Sequence, residues 1–373
     1  MASQVTTYQC PACTAPLGYD AASGKLQCEF CGSSYEVAQI EALMAEKEQK
    51  AEAAFEQAAA QPSGDGSTWD TSGMSDDWGA DAAGMKSYTC PSCSAELICD
   101  ATTAATSCPY CGNPTVVPGQ FSGMLKPDYV IPFKVTKEQA IAKLKEHYKG
   151  KFFLPKRFSD ENSIQEIKGV YVPFWMFDGE GEGTATYDAT RIEKYEIGNT
   201  EYTDTYHYNV VRGGVVPFEK IPVDGSSKMD DDYMDSIEPF DYSELKPFST
   251  AYMPGYLADK YDVSVEECFE RADHRAKNTV SSALFTDAAM GYEGCIVIDE
   301  YINLNRGKVH YALLPVWMLS TEWEGKRYMF AVNGQTGKTV GDLPMNKKKV
   351  GTTFAAIAGA LAAIGCAIVA LLL

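Results

Sequence analysis

Eight of the twelve cysteines fall into two copies of one pattern. Cys10-Pro11-Ala12-Cys13 and Cys28-Glu29-Phe30-Cys31-Gly32 are separated by fourteen residues, as are Cys90-Pro91-Ser92-Cys93 and Cys108-Pro109-Tyr110-Cys111-Gly112. The unit recurs at an offset of 80, with Leu17 matching Leu97, Asp20 matching Asp100 and Phe30 matching Tyr110. Two thiolates held two residues apart can turn toward one cation, and a glycine after the second cysteine permits the positive φ of such a turn. Two of these knuckles at the ends of a short hairpin complete a tetrahedral four-sulfur site. A segment of about 35 residues cannot bury enough apolar surface to fold alone, so the metal supplies the folding energy.

The spacing therefore predicts two zinc ribbons and two structural Zn2+ per chain. One is held by Cys10, Cys13, Cys28 and Cys31, the other by Cys90, Cys93, Cys108 and Cys111. Disulfides are the alternative in an oxidising compartment, and iron can also occupy four thiolates. Cys99 aligns with Tyr19 of the first ribbon and is not expected to be a ligand. Cys268, Cys295 and Cys366 are isolated and read as packing residues.

Lys plus Arg is 32 and Asp plus Glu is 51, a net charge of −19. Each four-thiolate zinc site would add −2. Residues 1–35 carry one basic side chain, Lys25, and residues 86–118 carry one, Lys86. Neither ribbon has the basic patch that phosphate contacts need, so nucleic acid is an unfavoured partner and protein a favoured one.

The C-terminal end, Phe354 to Leu373, is twenty uncharged residues preceded by Lys347, Lys348 and Lys349. This composition predicts a transmembrane helix with its lysine flank in the cytosol. The N-terminus has no signal-peptide character. Together they give the expectation of a tail-anchored protein at the cytoplasmic membrane, single-pass, with its N-terminus and body in the cytosol. Ala355, Gly359, Ala363 and Ala367 form a small-residue stripe compatible with a homo-oligomer.

Between these ends, 36–60 lacks Gly and Pro and reads as a helix, while 61–85 reads as an acidic, Gly- and Ser-rich flexible linker containing Trp69 and Trp78. Residues 119–345 form the body. Pro127 to Phe133, Val170 to Phe177, Cys295 to Tyr301, Val309 to Leu319 and Arg327 to Val332 read as strands. Thr136-Lys137-Glu138-Gln139 and Ser264-Val265-Glu266-Glu267 are capping boxes that open helices. Tyr171-Val172-Pro173-Phe174-Trp175-Met176-Phe177 is echoed by Leu313-Leu314-Pro315-Val316-Trp317-Met318-Leu319. A capped helix followed by a Pro-x-Trp-Met strand thus occurs twice, which predicts an α+β, β-rich body of two divergent halves.

Catalytic signals are sparse. His147, His207, His274 and His310 form no metal or triad pattern. Gly334-Gln335-Thr336-Gly337-Lys338-Thr339 lacks the first glycine of a phosphate loop, and the Asn333-Gly334 turn between strands marks a hairpin.

The ribbons, the Pro-x-Trp strands, the Asn-Gly-x-Thr-Gly-Lys hairpin and the apolar tail resemble a group of bacterial tail-anchored membrane proteins. Their ribbons attract transcription-factor-IIB-type or primosomal-helicase-like labels. The resemblance implies partnership with flotillin-like SPFH-domain proteins. The expectation is a multidomain chain: ribbon 1 (1–35), helix (36–60), linker (61–85), ribbon 2 (86–118), body (119–345) and a transmembrane tail (350–373). Its expected role is that of a non-enzymatic membrane adaptor recruiting a cytosolic protein. A membrane-tethered, transcription-related nucleic-acid binder is the competing reading.

Overall fold

A computed structural model describes residues 11, 17–20, 25–28, 32–43, 45, 66–103, 105, 107–119, 124–159, 164 and 166–372. The first ribbon is a three-stranded antiparallel sheet of β1 (Leu17–Asp20), β2 (Lys25–Cys28) and β3 (Ser34–Tyr35). Residues 37–43 follow as a helix, and Ile40 packs with Leu17, Leu26 and Cys28 in a small core of their own.

The remaining described strands form one sheet of eleven. Its first members are β4 (Met85–Thr89), β5 (Glu96–Asp100), β6 (Val117–Gly119) and β7 (Tyr129–Val130). Helix α1 (Lys137–Tyr148) and a one-turn helix α2 (Lys156–Ser159) lead to two long strands, β8 (Lys168–Ile197) and β9 (Thr200–Asp224). Helix α3 (Asp231–Ile237), β10 (Lys246–Pro247), β11 (Leu257–Asp259) and helix α4 (Phe269–Ala289) follow. The chain continues through β12 (Gly294–Trp323), β13 (Lys326–Asn333), β14 (Thr339–Gly341) and helix α5 (Lys347–Leu372).

The order across the sheet is β10-β7-β12-β8-β11-β5-β4-β6. Its centre is an internal duplication. Tyr129 and Val130 of β7 run parallel to Ala312 and Leu313 of β12, and Leu257 and Ala258 of β11 run parallel to Val170 and Tyr171 of β8. Each unit's short strand therefore pairs with the other unit's long strand. In the antiparallel β8–β12 pair, Val172 faces Leu314, its own counterpart in the sequence echo, so a local two-fold axis passes through that pair.

The same symmetry explains the repeated tryptophans. Trp175 Nε1 donates to Val263 O at 3.1 Å, and Trp317 Nε1 donates to Val135 O at 2.8 Å. Each acceptor immediately precedes a helix-capping residue, Ser264 or Thr136, and both capping boxes are formed. Two residues earlier, Tyr261 and Phe133 pack edge-on against Trp175 and Trp317, with centroids 5.1 and 5.2 Å apart. Each buried indole thus satisfies its only donor by fixing the entry of a helix. The two halves are interlocked βαβ units of one sheet rather than separate bodies.

The tail requires a correction to the expected fold class. It does form a helix, α5, but among the described residues no helix is long and apolar enough to cross a membrane. The helix opens on Lys347, Lys348 and Lys349. The transmembrane segment from Phe354 to Leu373 and the single-pass location at the cytoplasmic membrane are therefore withdrawn.

The acidic segment before the second ribbon is tied to the body from Gly66 onward. Asp70 bridges to Lys308 in parallel fashion. Trp69 and Trp78 are both buried, Trp69 Nε1 donating to Asp273 Oδ1 at 3.0 Å and Trp78 Nε1 to Met124 O at 2.9 Å.

Candidate metal centre

Cys90, Cys93, Cys108 and Cys111 come together. Their four sulfurs all lie within 4.8 Å of one another, with Cys90–Cys111 at 3.4 Å and Cys93–Cys108 at 3.6 Å. Thiolates bound tetrahedrally at 2.3 Å from a zinc ion sit about 3.8 Å apart, whereas disulfide sulfurs are about 2.05 Å apart. The spacing fits a shared cation and excludes a bond between sulfurs.

Two turns build the site. Ser94 N donates to Cys90 O and Gly112 N to Cys108 O, at 2.9 and 3.0 Å, while Cys90 N and Cys108 N reach Ala95 O and Asn113 O, both at 2.9 Å. Ser94 and Gly112 take φ values of 57 and 68° that close these knuckles. Each turn also aims amides at sulfur. Burial opposes ionisation of Cys90, but the Cys93 and Ser92 amides and the Cys111 sulfur outweigh it and bring that thiol down to about 7. Burial pushes Cys93 and Cys108 up. Cys90 and its neighbours Cys93 and Cys108 thus have opposed protonation tendencies, and a bound divalent cation favours the thiolate form of its ligands. All four donors come from the chain, so a bound zinc has no open position and its contribution is structural.

The centre belongs to the body's core. Cys90 and Cys108 are fully buried beside Val170, Val172 and Met176 of β8. β5 pairs with β11, carrying the knuckle hairpin into the main sheet. Lys168 Nζ donates to Ser107 O at 2.7 Å and feels the charge of Cys108, while Lys228, ion-paired to Asp262, feels that of Cys93. These two lysines offset the net negative charge of a filled site, and nothing in the local sequence pointed to them. Tyr110, at the second knuckle, is buried and donates to Asp259 Oδ2 at 2.6 Å, so it is a packing residue. Asp259 is fully buried, also accepts from Ser226 Oγ at 2.6 Å, and is pushed up to about 7 by burial. Cys99 stays outside the cluster, bonded to Thr103 O at 3.1 Å, and burial pushes its thiol up to about 12.

Of the first expected site, Cys28 is described and fully buried, while Cys10, Cys13 and Cys31 lie outside the described residues. The knuckle around Cys28 repeats the second ribbon's turn: Gly32 N donates to Cys28 O and Cys28 N to Ser33 O, both at 2.9 Å, with Gly32 at φ 73°. These bonds match those of Cys108, Gly112 and Asn113 at the offset of 80.

A family model described as Trm112p-like protein, a zinc-binding family, matches residues 9–39, which span the first ribbon. No solved structure matches this chain. The chain is 34% identical over 322 aligned residues to the Bacillus subtilis (strain 168) protein entitled "Uncharacterized protein YdjG", covering 73% of this chain and 94% of that relative. The chain belongs to the family of this Bacillus subtilis protein.

Proposed function

We propose that the chain is a zinc-dependent docking adaptor with no catalytic site, carrying two structural zinc ions. The observation that supports this reading is the closed, buried four-sulfur cluster inside the body's sheet, which offers a metal shape but no reactive position. The body with ribbon 2 acts as the platform. Ribbon 1, with a core of its own, is the docking module. The chain's charge of −19 suits a neutral or basic surface on a protein partner, and a flotillin-like SPFH protein is the partner class we favour.

Capture from cell extract with the full chain, compared with Cys10→Ser/Cys13→Ser, tests the proposal. A partner lost on disrupting ribbon 1, with the second zinc retained, agrees with it. Unchanged capture, or sub-micromolar DNA or RNA binding with a steep salt slope, contradicts it.

A further inference from the structure

Beyond the body, β9, β8 and β12 continue as a three-stranded arm. From Gly181 to Ile197 it reaches about 50 Å at the usual strand rise. Helix α4 covers one face through Ala272, Ala276, Val280, Leu284 and Ala288. Among the described residues, β9 pairs with β8 alone, so its outer edge is bare along the arm.

Sheet edges are usually blunted by proline, lysine, a bulge or a covering segment. Residues 200–216 contain no proline and no lysine and are rich in Thr, Tyr and Val. The guards begin where β9 enters the body, at Pro217 and at Lys220, whose φ of 58° falls where the β8–β9 register shifts. Tyr202, Tyr206, Val211 and Val215 are all exposed on this strand, at 42, 44, 57 and 57%.

We propose that this edge joins the same edge of a second copy of the chain, antiparallel, about a two-fold axis at Tyr208. Residues paired across an antiparallel edge share one face of the sheet, so only positions of equal parity meet. Glu201, Asp204 and Arg212 are the fixed charges of 200–216, and Asp204 with Arg212 is the one opposite-charge pair of equal parity. The axis at Tyr208 places each Asp204 opposite the other copy's Arg212. Arg212 already directs Nε to Asp287 and Nη1 to Val211 O, which leaves its second amino group for the neighbour. The same register sets Tyr202 opposite Gly214 and Thr205 opposite Val211. An aromatic ring over a glycine and a β-branched pair are favourable cross-strand neighbours. Because β9 runs from the arm's tip toward the body, antiparallel pairing sends the two bodies to opposite ends, whereas parallel pairing would bring them side by side.

Sedimentation of the full chain over a concentration series tests this, with circular dichroism to confirm that each variant is folded. Wild type is expected to dimerise. Asp204→Arg and Arg212→Asp each set like charges opposite one another and should weaken the dimer by roughly tenfold or more. Mixing the two variants restores both opposite-charge pairs, so a heterodimer should form at wild-type concentrations. A wild type that stays monomeric, a dimer indifferent to both substitutions, or variants that fail to rescue one another would overturn the proposal. If the edge instead serves a strand of another protein, wild type is monomeric in this assay.

Discussion

Asp259→Asn isolates one buried charge. The Asp259 carboxyl has no exposure, accepts two hydroxyl hydrogen bonds on Oδ2, and has no partner on Oδ1 among the described residues. Burial raises it from 3.8 to about 7, against the lowering effect of Ser226 and Tyr110. A raised carboxyl gives stability that is complete below the unfolded value and is lost as pH rises through the folded value. The loss totals about 4 kcal/mol, of which about 2 kcal/mol falls between pH 5.5 and 8.5. Asparagine keeps an oxygen for Tyr110 and Ser226 and removes the charge. Urea midpoints of the zinc-loaded protein and the variant, measured across that window, give the comparison. Zinc binding itself strengthens as pH rises, but it is common to both proteins and cancels in the difference. The variant should gain on wild type from pH 5.5 to about 7, and the difference should level off above that. A difference independent of pH would refute a buried carboxyl that ionises near neutrality.

Arg271 pairs with Asp224, 2% exposed, at 2.7 Å, and burial has pushed that carboxyl up to about 6. Arg271→Ala should cost about 3 kcal/mol in urea melts above that pH and less below it, because a buried carboxylate is left uncompensated. A Cβ at Gly181 would stand 2.5 Å from Val280 Cγ2 of α4. Gly181→Ala should therefore destabilise by about 1–3 kcal/mol although alanine suits a strand better than glycine; a neutral or raised melting temperature would contradict the close seating of α4 on the arm. Trp69→Ala removes a buried indole and its bond to Asp273 and should expose the 66–70 backbone to hydrogen exchange, leaving the arm's protection unchanged.

The second metal centre was legible because thiolate geometry fixes its spacing, and the four cysteines named by that spacing are the four that meet. The capping boxes at Thr136 and Ser264 and the Asn333 hairpin were legible for the same reason: each is a local bond with a fixed offset. Asn333 accepts from the Gln335 and Thr336 amides, and β13 and β14 pair as that turn requires. Of the arm's three strands only the Cys295 to Tyr301 stretch of β12 was legible; the arm portions of β8 and β9 were not. Gly179-Glu180-Gly181-Glu182-Gly183 has the composition of a loop, yet it is strand, because Gly181 and Gly183 leave room for Val280 and Leu284. The Thr- and Tyr-rich run of β9 has β propensity without an apolar face that would have announced its burial. Trp69 and Trp78 lie in an acidic, glycine-rich stretch, and only distant partners, Asp273 and Met124, show that they are anchors.

Metal content under reducing conditions tests the central claim most directly. Elemental analysis of the full chain should give two zinc ions, falling to one in Cys90→Ser and to one in Cys10→Ser, with the Cys90→Ser body destabilised because its centre lies inside the main sheet. Iron with visible absorption, zinc near zero, or a Cys90→Ser variant that retains both ions would contradict it.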